Sequence, residues 1–176
     1  MNTLHNHIIY TIGHSTHSIE DFIKMLQSFK IKILIDIRGL PGSRKYPQFN
    51  KENLKKSLHE KDIDYIHIQE LGGRRKVQKD SKNTRWRSAS FQGYADYMET
   101  EGFRKGIEEL EAIASQTTAA YMCAEAVWWR CHRSMVSDYL KAKGWTVMHI
   151  TGANKAGEHT YTSPAVVTGD QVHYKD

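Results

Sequence analysis

Only three prolines and two cysteines occur among 176 residues, and no segment is repeated or compositionally biased. Scarce proline, with 39% apolar and 26% charged residues, excludes long disordered tracts and fits one packed core. No apolar run approaches the roughly 20 residues of a membrane span. The amino end, MNTLHNHIIY, lacks a basic stretch followed by an apolar one, so no secretory leader is expected and the cytoplasm is the expected location. In that compartment Cys123 and Cys131 read as reduced thiols. Zinc signatures are missing as well. His14, Cys131, His132 and His149 do not show the short spacings of ligand pairs, and the zinc-deaminase pattern H-x-E with P-C-x-x-C is absent. Neither a metal nor a cofactor is expected.

What is present is a basic balance, +5 at neutral pH, gathered in RGLPGSRKY, in GGRRKVQKD with KNTRWR, and in WWRCHR. Lysines in such runs belong to a solvated surface. Arginine beside glycine and tryptophan points further, to recognition of an anion or a base.

The order of elements follows from periodicity. HIIYTIGHS, KILIDIRG, DYIHI, AAYMCAE and WTVMHI are apolar, β-rich runs. Between them lie helical patterns, the first opened by Ser18 and Asp21 as a capping box. FQGYADYMETEGFRKGIEELEAIAS reads as two helices broken near Thr100 to Gly102. ELGGRRKVQKDSKNTRWRSAS has no periodicity, and loops of that length are functional or mobile. Strands that are continuous apolar runs, alternating with helices, predict a single α/β domain. The expected fold has three layers, with helices on both faces of a mostly parallel sheet of about five strands. Residues 151–176 are expected to be an irregular tail packed on it, with one β-like piece at PAVV.

Ligands of such sheets sit beyond the carboxyl ends of the strands. GHST, DIRGLPGSR, QELGGRR and AEAVWWRCHR all fall there. Asp36, Glu70 and Glu125 can supply a general acid, a general base or a stabilising charge. The competing reading pairs them with Arg38, Arg74 and Arg130 as structural ion pairs. Cys123, inside a strand, reads as a small hydrophobe. Cys131, beside Arg130, His132 and Arg133 at a helix start, has surroundings that lower a thiol pKa. A phosphate loop of the cysteine-phosphatase or rhodanese kind fits poorly, because AEAVWW lacks glycine and is one residue too long. Trp86, Tyr94, Tyr97, Trp128 and Trp129 are candidates for stacking a base, with core filling as the alternative.

The stretches YTIGHST, DIRGLPGSR with PQFN, ELGGRR, WRSASFQGYADYM, MCAEAVWWRCHRS and EHTYTSPA together resemble the domain of unknown function 488 family, over nearly the whole chain. The resemblance implies a compact α/β domain whose GHS, DIR, ELGG and CAE…CHR elements share a pocket. It also implies an enzyme linked to nucleic-acid or damaged-nucleotide processing. Carried over by residue, it points to His14, Ser15, Asp36, Arg38, Ser43 and Arg44 in the first half. In the second half it points to Glu70, Gly72, Gly73, Arg74, Tyr94, Cys123, Glu125, Arg130, Cys131, His132 and Arg133.

The first expectation is therefore a hydrolase acting on a modified or damaged base, nucleotide or nucleic acid, in nucleotide metabolism or DNA repair. Glu125 and Asp36 would do the acid–base work, with His132, Cys131 and Cys123 as further catalytic candidates. Arg130, His132 and Arg133 would hold an anion at the helix N-terminus, and a tryptophan, Trp129, would cover the ring. The alternatives are a cysteine-dependent sulfurtransferase or phosphatase-like enzyme, and a non-catalytic nucleic-acid-binding module.

Overall fold

β1 (Ile8–Gly13) leads through α1 (Ile19–Ser28) to β2 (Ile33–Asp36), and α2 (Lys51–His59) leads on to β3 (Asp64–His67). After a long loop come α3 (Ala89–Tyr97), α4 (Glu101–Ala114), β4 (Ala119–Cys123), α5 (Arg133–Ala142) and β5 (Thr146–Gly152). Three short strands follow: β6 (Lys155–Glu158), β7 (Val166–Thr168) and β8 (Gln171–His173). The structure, a computed structural model, describes residues 7–176.

The fold is α/β. Six strands form one sheet in the order β3-β2-β4-β1-β5-β6, all parallel except β6, which runs antiparallel to β5. Alternate strand residues serve opposite faces. Ile9, Ile35, Tyr121 and Val147 meet α3, α4 and α5, while Ile12, Leu34, Ala120 and Met122 meet α1 and α2. Helix starts are fixed locally. Ser18 Oγ accepts the Asp21 amide at 3.1 Å, and Thr100 Oγ1 accepts that of Phe103 at 3.4 Å, which places the break between α3 and α4.

The end of the chain is more ordered than its composition suggests. Residues 151–176 are not an irregular tail. β5 turns at Asn154 (φ 59°) into the edge strand β6, and β7 pairs with β8 as a hairpin. The segment KAGE carries little hydrophobic alternation because its burial is slight, so its strand character lies in backbone pairing alone.

The topology selects a place for chemistry. β4 lies between β1 and β2, whose following helices, α1 and α2, cover the face opposite to α5. A crevice opens where neighbouring strands send their helices to opposite faces. Here it lies at the carboxyl ends of β1, β2 and β4.

Candidate active site

Backbone pairing continues past the strands and binds the four loops to one another. The His14 and Ser15 amides donate to the carbonyls of Cys123 and Ala124, each at 3.0 Å, and Ile37 donates to Met122 at 3.0 Å. At Gly13 a Cβ would sit 1.7 Å from the Glu125 carbonyl oxygen, so only glycine lets the β4 loop cross there.

The carboxylate of Asp36 is 0% exposed and already fully engaged. Arg38 grips it in a fork, Nε to Oδ1 at 2.9 Å and Nη2 to Oδ2 at 2.7 Å, and the Tyr65 hydroxyl donates to Oδ2 at 2.6 Å. Arg38 Nη2 also donates to the Phe49 carbonyl at 2.7 Å. This is the structural ion pair of the competing reading; it ties the β2 exit to the turn before α2. The Asp36 negative charge in turn helps raise the Tyr65 phenol, after burial, far above its ordinary value. Glu70 and Glu125 carry exposed side chains at the ends of β3 and β4.

Cys131 and His132 form a different kind of pair. His132 Nε2 lies 2.8 Å from the Ile37 carbonyl oxygen, an acceptor only, which assigns the ring proton to Nε2 and leaves Nδ1 bare. Cys131 Sγ is 3.2 Å from that Nδ1. Burial holds the imidazole below its usual value, so it is a neutral base at neutral pH. Burial by itself raises the Cys131 thiol. A hydrogen bond from the Cys123 thiol, the Arg133 amide and the Arg133 guanidinium outweigh it and bring the group below its ordinary value. Cys123 is driven the other way, chiefly by burial, and stays protonated. Its single S–H serves either Cys131 or the Glu125 carbonyl, 3.7 Å away. The His132 ring is fixed from two sides: Tyr94 lies 5.1 Å away, and a Cβ on Gly73 would meet Nδ1 at 2.8 Å.

Several other expected ligand groups are engaged within the fold, and four stay exposed. Arg133 is 1% exposed and turns inward, Nη1 to Thr11 Oγ1 at 3.2 Å and Nη2 to the carbonyls of Glu125 and Ala126 at 3.2 and 3.3 Å. Its Nε has no partner among the described residues. Tyr94 is buried and donates to the Leu71 carbonyl at 2.8 Å. His14 stacks on Phe49 at 4.4 Å, with Nδ1 2.9 Å from the Ser15 carbonyl. Ser43 Oγ accepts the Tyr46 amide at 3.1 Å, and Gly72 packs on Gly39. Trp86 packs against Phe91 and Tyr174, and Tyr97 lies under the Arg75 guanidinium. Trp128 lies flat on His149 at 4.7 Å, whereas Trp129 is 56% exposed. Arg44, Arg74 and Arg130 are exposed, and none joins an ion pair among the described residues.

Sequence reasoning missed Thr11, Asp138 and His159, which with His149 form a buried network beneath Arg133. The one available signal was the polar character of RSMVSDYL: Arg133, Ser134, Ser137 and Asp138 are all buried on α5. Among the described residues no group of three or more His, Cys, Asp or Glu is arranged to hold a metal ion. No described helix is long and apolar enough to cross a membrane. Clefts of about 320 and 670 Å³ lie at the amino ends of β2 and β3 and beside Trp86. Neither contains a nucleophile–base pair, so chemistry rather than concavity marks the site.

The family model for the domain of unknown function DUF488 matches residues 18–140. The chain belongs to that family. The DUF488 match runs from the cap of α1 into α5 and contains Asp36, Gly73 and the whole Cys123–Arg133 stretch; Thr11, His149 and His159 lie outside it. No curated protein and no solved structure matches the chain.

Proposed function

We propose that this DUF488 chain is a thiol-dependent enzyme of the sulfurtransferase or phosphatase-like kind, with Cys131 as nucleophile and His132 as its base. The observation that carries the reading is the ordered trio Cys131 Sγ, His132 Nδ1 and, behind the ring, the Ile37 carbonyl at 3.2 and 2.8 Å. Nucleophile, base and orienter are the parts of nucleophilic catalysis. Cys131 passes its proton to Nδ1, and the thiolate attacks the electrophilic sulfur or phosphorus of the substrate. One S–S or S–P bond forms as the bond to the leaving group breaks, and His132 returns the proton to that group. An acceptor, or water deprotonated by His132, then takes the transferred group from the sulfur.

A nucleotide or nucleic-acid substrate fits the surroundings. Trp129 offers an exposed ring for stacking, and Arg44, Arg74 and Arg130 offer unpaired positive charge. The test is a screen of nucleotides, modified nucleosides and short oligonucleotides, read by mass. Cys131→Ser is expected to abolish turnover and Glu125→Gln to leave it within about tenfold, ~1.4 kcal/mol.

A second reading is favoured by one observation, the exposed carboxylate of Glu125 at the β4 exit. It is a hydrolase that removes or alters a base, in nucleotide metabolism or DNA repair, with Glu125 as its acid–base group. Loss of turnover in Glu125→Gln with full activity in Cys131→Ser selects it. Salt-dependent binding to oligonucleotides without any turnover selects a binding module over both enzymes.

A further inference from the structure

Five buried residues behind the thiol pair form one continuous chain of hydrogen bonds. Arg133 Nη1 lies 3.2 Å from Thr11 Oγ1, and Thr11 Oγ1 lies 2.5 Å from His149 Nδ1. His149 Nε2 is 2.8 Å from His159 Nδ1, and His159 Nε2 is 2.8 Å from Asp138 Oδ1. Thr11, Asp138 and His159 are all 0% exposed. The two ends carry opposite charges that never meet: among the described residues no carboxylate touches Arg133, and Asp138 pairs only with His159.

The direction of the chain follows from its ends. A guanidinium only donates and a carboxylate only accepts. Arg133 therefore donates to Thr11, whose hydroxyl proton goes to His149 Nδ1. His149 donates from Nε2 to His159 Nδ1, and His159 from Nε2 to Asp138. In the opposite order Thr11 Oγ1 would receive two donors and its own proton would have no acceptor. Burial, then the neighbouring His159 and the Arg133 guanidinium, push the His149 imidazole down to about 2, in keeping with a neutral ring. Asp138 accepts three further hydrogen bonds, from the Thr162 amide at 3.0 Å, the Thr162 hydroxyl at 2.5 Å and the Tyr174 hydroxyl at 2.8 Å.

We infer that Asp138 is the remote counter-charge of Arg133, and that the Thr11–His149–His159 relay between them positions the 124–130 loop for reaction at Cys131. The loop is gripped twice. Arg133 Nη2 holds the carbonyls of Glu125 and Ala126, and Trp128 lies flat on His149 with interplanar angle 6°. Polarised chains of this kind strengthen one another inside a protein, and the loss of one link leaves both neighbours unsatisfied. Thr11, His149, His159 and Asp138 are thus positioning residues.

This inference takes its chemical readout from the thiol reading. The groups facing Cys131 are His132 at the N-cap of α5 and Arg133 on that helix, Cys123 on β4, Glu125 on the loop and Tyr94 on α3. Thr11→Val keeps the shape and removes the link; Thr11→Ser restores it. Alkylation of Cys131 by iodoacetamide, followed against pH, is expected to slow by roughly tenfold at neutral pH in Thr11→Val, with a displaced midpoint, and to stay within about twofold in Thr11→Ser. A folded Thr11→Val with the wild-type profile overturns the inference. Should Thr11→Val not fold, nitrogen-15 NMR of the wild-type imidazoles decides. Neutral rings protonated at Nε2 in both His149 and His159 support the relay; a cationic His159, or His149 protonated at Nδ1, overturns it. Full turnover in Cys131→Ser removes the thiol reading but leaves the tautomer result standing, so the two failures are distinguishable.

Discussion

Arg38 and Arg133 are both buried at the carboxyl edge of the sheet, 7% and 1% exposed, and they are held in opposite ways. Arg38 has a carboxylate in bidentate contact, two residues away in sequence. Arg133 has none in contact; a hydroxyl and two carbonyls take its protons, and its Nε is left over. The first guanidinium is neutralised where it stands and fixes a turn. The second has its charge beside two thiols, where the Cys131 nucleophile and the His132 base touch. A buried ion pair spends its charge locally, whereas a charge balanced through neutral links remains available to its neighbours.

The comparison is broken most severely from the Arg38 side. Arg38→Met leaves Asp36 buried without its partner and is expected to cost about 3–5 kcal/mol in urea unfolding. Arg133→Met removes the buried charge together with three donor contacts. Its expected stability loss is smaller, about 1–3 kcal/mol, but unlike Arg38→Met it should raise the pH midpoint of Cys131 alkylation. If Arg38→Met moves that midpoint and Arg133→Met does not, the contrast between the two sites is wrong.

Acid sharpens the contrast further. The folded-state value of His149, about 2, lies below its unfolded value of 6.5, so the unfolded chain binds the proton first. Its contribution to stability is complete above pH ~6.5 and is lost as pH falls, at about 1.4 kcal/mol per pH unit. His14 and His132, both lowered by desolvation, act with the same sign. Urea midpoints are expected to stay nearly level between pH 7.5 and about 6.5 and to fall steeply from there to pH 5. The smallest effect belongs to Trp129, exposed and edge-on to Trp128. Trp129→Ala should change stability by no more than about 0.5 kcal/mol while weakening nucleotide binding.

The contrast also explains how much was legible beforehand. Continuous apolar runs such as ILID and AAYMC announce parallel strands, and the order of elements brings four loops to one edge, because both signals are local. Asp36 with Arg38 was readable as an ion pair for the same reason. The Cys131–His132 contact was half readable: adjacency was visible, but the Ile37 carbonyl that orients the ring comes from 95 residues away. Arg133 was placed correctly at the start of α5, yet its inward direction depends on Thr11, 122 residues distant. The relay joins residues 138 positions apart through burial alone, and no spacing encodes it.

Which of the two thiols reacts, and why, is the central question at this sheet edge. Intact protein treated with iodoacetamide across pH 5–10, with Cys123 and Cys131 quantified separately by peptide mass, measures this directly. The expected result is modification of Cys131 first, with a midpoint below the usual ~8.5 of a free cysteine, rising when His132 is replaced by glutamine. Preferential labelling of Cys123, or a Cys131 midpoint at or above the ordinary value and indifferent to His132, would contradict it.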